Sequence, residues 1–120
     1  MALNVSIQGK TLKGYIVSLE GSLDSHTHMT LQEKMDEIID ETTDLITFDM
    51  ENLDYISSAG IRVVLKTRIA LEEKNGDLLF VNMKPKIEKV FEIIHALPLM
   101  KVFTSVKELD AYLDNIQKKG

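Results

Sequence analysis

The chain has 120 residues, of which 44% are hydrophobic and 28% charged, with a formal net charge of -5. This length fits a single domain, residues 1–120, around one core. The acidic balance argues against nucleic acid as a partner, because proteins that bind nucleic acid present basic surfaces. The absence of cysteine excludes disulfide scaffolds, thiolate metal sites and cysteine nucleophiles.

The sequence contains no apolar run long enough to span a bilayer. Its first residues lack the basic and then apolar layout of a signal peptide. We therefore expect a cytoplasmic protein that does not bind a membrane.

The chain begins with two predicted strands. Leu3, Val5 and Ile7 alternate with polar residues, which is the period of a half-buried strand. Residues 15–19 form a second apolar run, and the short glycine-flanked turn between the two runs predicts an antiparallel hairpin. Gly21-Ser22-Leu23-Asp24 then ends the second strand.

Helical and strand patterns alternate after the hairpin. The apolar residues of the first helix lie at helical spacing, and they are Leu31, Met35, Ile38 and Ile39. Residues 45–50 predict a buried central strand, followed by a short polar loop. The next helix is expected to stop at Asn75-Gly76, with the glycine in the left-handed cap conformation.

The last third of the chain continues this alternation. Residues 78–82 predict a strand, Pro85 begins a helix, and residues 100–103 predict a short last strand. Ser105 and Glu108 form a capping box at the start of a closing helix. The order ββαβαβαβα predicts an α/β fold with a mixed, mostly parallel sheet and the first strand at an edge.

The stretch from Asp49 to Leu65 joins a predicted strand to a helix through Ser57-Ser58-Ala59-Gly60. Such junctions commonly hold function in α/β proteins, because the first N–H groups of a helix are unpaired. A serine here can cap the helix through its hydroxyl. A phosphate on that hydroxyl would lie at the positive end of the helix dipole. On spacing alone, a plain cap and a phosphorylation site both remain open.

Other kinds of site are less well supported. Ser58, His26 or His28, and Asp24 contain the residue types of a catalytic triad, but Ile56 occupies the first glycine position of the Gly-x-Ser-x-Gly elbow. Asp24 and the two histidines could meet at a metal, although no cysteine or second acidic pair completes the set. Neither glycine-rich nucleotide motif occurs, which leaves only weak nucleotide binding open. We expect no catalytic residue, metal or cofactor.

Two motifs resemble the signature segments of the STAS domain family (sulfate transporter and anti-sigma factor antagonist). Residues 54–61, Asp-Tyr-Ile-Ser-Ser-Ala-Gly-Ile, resemble the signature loop of the family. Gly21-Ser22-Leu23-Asp24, followed by Thr27 and Leu31, resembles its turn into the first helix. The resemblance covers roughly residues 3–116, and the predicted order of elements is that of the family.

The resemblance implies a freestanding, non-enzymatic anti-sigma factor antagonist. Its unphosphorylated form would bind an anti-sigma factor, itself a serine kinase of the histidine-kinase-like ATPase fold, and free the sigma factor. Phosphorylation of the loop serine, here Ser58, would break the complex, and a PP2C-type phosphatase would restore it. The alternative is a STAS module of another partner-switching or stress-sensing complex.

The sequence departs from the family pattern at two positions. The residue before the phosphorylated serine is often aspartate in the family, and here it is Ser57, so local negative charge is missing and a second candidate acceptor is present. Arg62 stands where glycine is frequent. Asp24 and Asp54 are expected to repel a phosphate on Ser58.

We expect the partner to cover the Asp24 turn and the first half of the Ser58 helix, with Val63 as an exposed apolar centre. The opposite end of the domain, with Lys10, Lys13 and the Asn75-Gly76 turn, is expected to stay free. The residues predicted to form the switch and partner-binding surface are Asp24, Ser25, Thr27, Asp54, Ser57, Ala59, Gly60, Arg62 and Val63.

Overall fold

The computed structural model describes residues 2–11, 14–96 and 105–119. Eight elements lie in these ranges, in the order ββαβαβαα. They are β1 (Leu3–Thr11), β2 (Gly14–Leu23), α1 (His28–Ile38), β3 (Leu45–Ile56), α2 (Ser58–Glu72), β4 (Asp77–Val81), α3 (Pro85–Ala96) and α4 (Val106–Lys119). The strand predicted over residues 100–103 lies outside the described residues.

The described strands form one sheet in the order β1-β2-β3-β4. β1 pairs with β2 in the antiparallel sense, whereas β2 with β3 and β3 with β4 are parallel. The α/β class, the hairpin, the edge position of β1 and the mostly parallel sheet are therefore confirmed.

The core lies where the helices pack against one face of the sheet. Alternate residues of β3, Ile46, Phe48 and Met50, are fully buried there, and Phe48 stacks on Phe80 of β4 with ring centroids 6.0 Å apart. Each helix contributes buried apolar residues to the same cluster, and they include Leu31, Met35, Ile61, Val64, Leu71, Ile87, Val90, Leu109 and Leu113. No helix in the described ranges is long and apolar enough to cross a membrane.

β3 is longer than predicted. Residues 51–56, expected to be a polar loop, continue the strand and pair with the end of β2, where Ile56 lies opposite Leu23. Two register shifts each place one extra residue in β3. As a result the buried residues Met50, Leu53 and Ile56 recur every third position. This spacing hides the two-residue period by which a strand is recognised.

The turn after α2 also differs from the prediction. Asn75, with φ of 61°, takes the left-handed conformation that was expected of Gly76. Gly76 is needed for space, because a Cβ there would lie 2.5 Å from the carbonyl oxygen of Asp44. At the start of α4 the serine half of the predicted capping box is confirmed, since the Ser105 hydroxyl accepts a hydrogen bond from the N–H of Glu108 at 3.1 Å.

The two ends of the parallel strands are clearly separated. Leu23 and Ile56, the last residues of β2 and β3, lie opposite each other at one edge of the sheet. The start of β3 lies beside the start of β4 at the other edge, where the N–H of Asp77 donates to the carbonyl of Asp44 at 2.8 Å. The Asn75-Gly76 turn therefore lies at the end opposite to Ser58.

Candidate functional site

The two signature segments meet at the carboxyl ends of β2 and β3. The N–H of Ser57 donates to the carbonyl oxygen of Leu23 at 2.9 Å. A Cβ on Gly60 would lie 2.7 Å from that same oxygen and 2.6 Å from Cγ of Leu23. Only glycine therefore lets the start of α2 approach the end of β2 this closely.

The turn into α1 closes on itself. The Thr27 hydroxyl accepts the N–H of Asp24 at 2.9 Å and donates to the carbonyl of Ser22 at 2.7 Å. The Asp24 carboxylate in turn accepts the N–H groups of His26 at 2.9 Å and Thr27 at 3.2 Å. Thr27 is buried, so its role is to hold the turn, and the prediction that it lies on the partner-binding surface is wrong.

The histidines of this turn do not build a metal site. Among the residues that the structure describes, no group of three or more His, Cys, Asp or Glu side chains could hold a metal ion. Asp24 contacts backbone N–H groups, and Nδ1 of His28 lies 3.2 Å from the carbonyl oxygen of Ser25.

The start of α2 is closed in a different way. Ser57 precedes the helix in an extended conformation and makes no side-chain capping bond, and Ser58 is the first helical residue. The N–H of Ser58 donates instead to Oδ1 of Asp110, on α4, at 2.9 Å. The negative charge that seemed missing next to Ser58 is thus supplied by a residue distant in sequence.

Gln117 makes a second contact from α4 to this segment. Its Oε1 accepts the N–H of Ile56 at 2.8 Å, and its Nε2 donates to the carbonyls of Ile56 at 2.8 Å and Leu113 at 3.2 Å. Gln117 is buried, so both backbone polar groups at the end of β3 depend on this one amide.

Asp114, a third residue of α4, affects the pKa of Tyr55. Burial, followed by a hydrogen bond to Asp114 and the charges of Asp114, Asp110 and Asp24, raises the pKa of Tyr55 well above its ordinary value. Asp110, Asp114 and Gln117 are spaced by four and three residues and share one face of the helix.

Sequence reasoning missed these three residues of α4. One signal was available for Gln117, because it follows Leu109 and Leu113 at spacings of four and thus continues an apolar stripe as a polar residue. A glutamine in such a position indicates a buried hydrogen-bond partner.

The two candidate phosphoacceptors differ in access. Ser57 is 5% exposed and Ser58 is 8% exposed. The hydroxyl of Ser57 is sealed from solvent and has no hydrogen-bond partner among the described residues, and Ser58 is the more exposed residue of the two. Ser58 is therefore the better placed of the two.

The prediction that Val63 is the exposed apolar centre of the partner surface is wrong. Val63 is 3% exposed and belongs to the core, because α2 buries a wider face than the predicted stripe. Met29, in the first turn of α1, is an exposed apolar residue at this end, with 51% of its surface accessible. Arg62 and Ser25 are exposed as expected, and Ala59 is half-buried.

A groove of about 550 Å³ runs between the Asp24 turn, residues 54–57 and α4. Four carboxylates line it together with Ser57 and Tyr55, and they are Asp24, Asp54, Asp110 and Asp114. Lys86 and Lys118 are the cationic side chains of the lining. Asp54 forms an ion pair with Lys84, and the hydrogen bond from Lys84 lowers the pKa of Asp54.

Comparison with known proteins gives a consistent result. The family model of the STAS domain matches residues 3–109. BtrV of Bordetella bronchiseptica is 34% identical over 90 residues, covering 75% of this chain and 78% of BtrV. The anti-sigma-B factor antagonist of Staphylococcus aureus is 30% identical over 101 residues, covering 83% of this chain and 94% of its own.

The chain is also similar in fold to solved structures of anti-sigma factor antagonists. The anti-sigma factor antagonist SpoIIAA in its unphosphorylated form has a TM-score of 0.70 at 25% identity, covering 79% of this chain and 84% of its own. The phosphorylated form of SpoIIAA from Bacillus has a TM-score of 0.66 at 25% identity, covering 76% and 83%.

Proposed function

Because the chain belongs to the STAS domain family, we propose that it is an anti-sigma factor antagonist switched by phosphorylation of Ser58. The unphosphorylated form binds an anti-sigma factor in the cytoplasm and releases the sigma factor. The anti-sigma factor is a serine kinase of the histidine-kinase-like ATPase fold that phosphorylates Ser58, and a PP2C-type phosphatase reverses the reaction. The chain itself acts by binding and not by catalysis.

The observation that carries this proposal is the position of Ser58. It opens α2 at the carboxyl edge of the sheet, on a turn that Gly60 and Leu23 hold in place. The relatives named above support the role, since one is named as an anti-sigma-B factor antagonist. SpoIIAA, whose fold is similar, is described in both unphosphorylated and phosphorylated forms.

Electrostatics accounts for the direction of the switch. A phosphate adds about -1.5 to -2 charges near neutral pH. Asp110 already contacts the N–H of Ser58, and the neighbouring groove carries three further carboxylates. An unpaired charge buried by a partner costs a few kcal/mol, which lowers affinity by a factor of about 100 or more.

The surface that fits the partner lies at the starts of α1 and α2. Met29 supplies exposed apolar area, and Arg62 and Ser25 supply a polar rim. Interfaces commonly combine an apolar centre with such a rim. The end with the Asn75-Gly76 turn and the end of β1 at Lys10 is expected to remain free of the partner, and Lys13, which was predicted to share this end, lies outside the described residues.

Phosphotransfer tests the acceptor directly. The chain is incubated with its anti-sigma kinase and ATP, and the modified peptide is identified by mass spectrometry. We expect phosphate on Ser58 in the wild type and in Ser57→Ala, and none in Ser58→Ala. Phosphate on Ser57 or on a threonine in the wild type would contradict the assignment.

Binding measurements test the role and the surface. Ser58→Ala should keep its affinity for the anti-sigma factor, whereas Ser58→Asp should lose it and remain folded, since a helix start tolerates a carboxylate. Met29→Asp should weaken binding by about tenfold or more, as expected for a residue at the centre of an interface. Leu79→Asp is the matched control, because Leu79 is 50% exposed but lies on β4. Equal losses in Met29→Asp and Leu79→Asp would refute this surface.

A further inference from the structure

One face of α4 contacts the junction of β3 and α2, residues 55–58, which is called the loop below. Gln117 binds the backbone of Ile56, and Asp110 binds the N–H of Ser58. Asp114, between them on the helix, lines the same groove as Tyr55. The conformation of residues 55–58 is therefore set by a helix that begins almost fifty residues later.

Asp110 occupies the place where an anion is most favourable. The free N–H groups of a helix start and the helix dipole attract a carboxylate, and the bond to the N–H of Ser58 is charge-assisted. Ser57, the residue that normally supplies a cap, makes no such bond. The negative charge of Asp110 thus adds a specific bond to the apolar contact between α2 and α4.

A phosphate on Ser58 would compete for this same place. It would be attached to the residue whose N–H binds Asp110, and a phosphate also prefers the N–H groups at a helix start. Two anions at one helix start repel each other, and the phosphate carries the larger charge. The covalently attached group therefore replaces the carboxylate of Asp110.

An unfavourable buried group in the loop favours its release from α4. The hydroxyl of Ser57 is sealed from solvent with no hydrogen-bond partner in the described part of the chain. A buried hydroxyl without a partner is unfavourable, and Ser57 lines the same groove as residues of α4. A change in the packing of α4 would therefore give this hydroxyl a chance to gain a partner.

We propose that Asp110 is the positioning residue of the switch and that α4 is a latch over residues 55–58. Without phosphate, Asp110 holds the start of α2 and the latch is closed. With phosphate on Ser58, the carboxylate of Asp110 is displaced and α4 loosens from the loop, which changes the groove next to the partner surface. This inference rests on the phosphorylation of Ser58 proposed above.

The test uses full-length protein with phosphoserine incorporated at position 58 during translation, so that no kinase is required. Hydrogen exchange of residues 106–119 is compared between modified and unmodified protein. We expect exchange to rise about tenfold or more on modification, the size expected for losing a hydrogen bond to a charged group. In Asp110→Asn the unmodified protein should already exchange faster, and phosphoserine should add little.

Asp54→Asn is the matched comparison. It removes one carboxylate from the same groove, but Asp54 pairs with Lys84 and not with Ser58. The latch predicts that α4 in Asp54→Asn still responds to phosphoserine as in the wild type. A response lost equally in Asp54→Asn and Asp110→Asn would indicate general repulsion in the groove and overturn the role of Asp110.

Two further results separate this inference from the proposed function. If phosphoserine abolishes binding to the anti-sigma factor but leaves the exchange of α4 unchanged, the latch is refuted and the proposed function stands. If α4 loosens but binding persists, the latch stands and the proposed function fails. Should Asp110→Asn not fold, the exchange of the Ile56 amide in the wild type decides, because this N–H is bonded to Gln117 of α4 and its residue carries no phosphate. Exchange of Ile56 that phosphoserine leaves unchanged contradicts the latch.

Discussion

The starts of α1 and α2 lie side by side and are stabilised in opposite ways. α1 is closed by residues of its own turn, where Asp24 and Thr27 exchange hydrogen bonds three positions apart. α2 is closed by Asp110, which is 52 positions away in the sequence. A locally closed start survives changes elsewhere, whereas a start closed from another helix depends on the docking of that helix. The second arrangement is the one that can switch while the sheet stays intact.

Gly60 and Leu23 connect the two starts. The carbonyl of Leu23, directly before the α1 turn, accepts the N–H of Ser57, directly before α2. The fixed start therefore serves as the reference against which the start of α2 is held. The following substitutions probe this difference, beginning with the largest expected effect.

Gln117→Met should cost the most stability, about 3 kcal/mol. The substitution keeps the length of the side chain but leaves the buried N–H and C=O of Ile56 without their partner, at about 1–3 kcal/mol for each group. Urea denaturation measures the loss. Gln32→Met is the control, because the hydrogen bond that Gln32 makes in the described part of the chain goes to an exposed carboxylate of its own helix, Asp36, at 2.9 Å. Equal losses in the two variants would show that α4 does not hold the loop.

Gly60→Ala should cost about 2 kcal/mol, within the range for overpacking a filled core. The added methyl group would meet both the backbone oxygen and the side chain of Leu23 at less than the normal contact distance. Gly9→Ala is the matched control, since a Cβ at Gly9 has nothing within 4 Å. Equal unfolding free energies for the two variants would mean that α2 can shift away from β2 freely.

The contrast between the two helix starts also explains what the sequence could predict. The residues of the α1 turn lie within a few positions, so Asp24 and Thr27 are readable as a motif. The same holds for Ser105 and Glu108 at the start of α4. Asp110 is a helix-surface carboxylate by sequence pattern, and only the tertiary packing of α4 against the loop gives it a specific partner.

The errors in the predicted end of β3 and in the predicted buried face of α2 have the same cause. The end of β3 was missed because two bulges change the spacing of its buried residues. Val63 was expected on the surface because a regular stripe on α2 excludes it, but α2 is covered on more than one side. The class of fold and the position of Ser58 depend on local pattern and motif, whereas the groove depends on contacts between distant segments.

Thr27→Val should cost about 1 kcal/mol, the usual net size for hydrogen bonds lost in a partly buried turn. Valine keeps the shape of the side chain but removes the bonds to the N–H of Asp24 and the carbonyl of Ser22. Because this closure is local, the exchange of α4 amides should be unchanged. Faster exchange in α4 of this variant would show that the two helix starts are not independent.

Tyr55→Phe should have the smallest effect, about 0.5 kcal/mol at neutral pH, because one hydrogen bond at a half-exposed position is lost. The distinctive property of this variant is the pH dependence of its free energy of unfolding. The folded protein raises the pKa of Tyr55, first through burial and then through Asp114. A raised pKa favours the neutral phenol in the folded state, so this contribution is complete below the ordinary tyrosine pKa of about 10 and is lost as the pH rises above it. Wild-type stability should therefore fall more steeply above about pH 10 than that of Tyr55→Phe. Urea denaturation at a series of pH values on both sides of about 10 measures this difference. In Asp114→Asn, the pKa of Tyr55 should move only part of the way back, because burial is the larger cause. A complete return to the ordinary value would instead mean that the docked α4 acts on Tyr55 through charge alone.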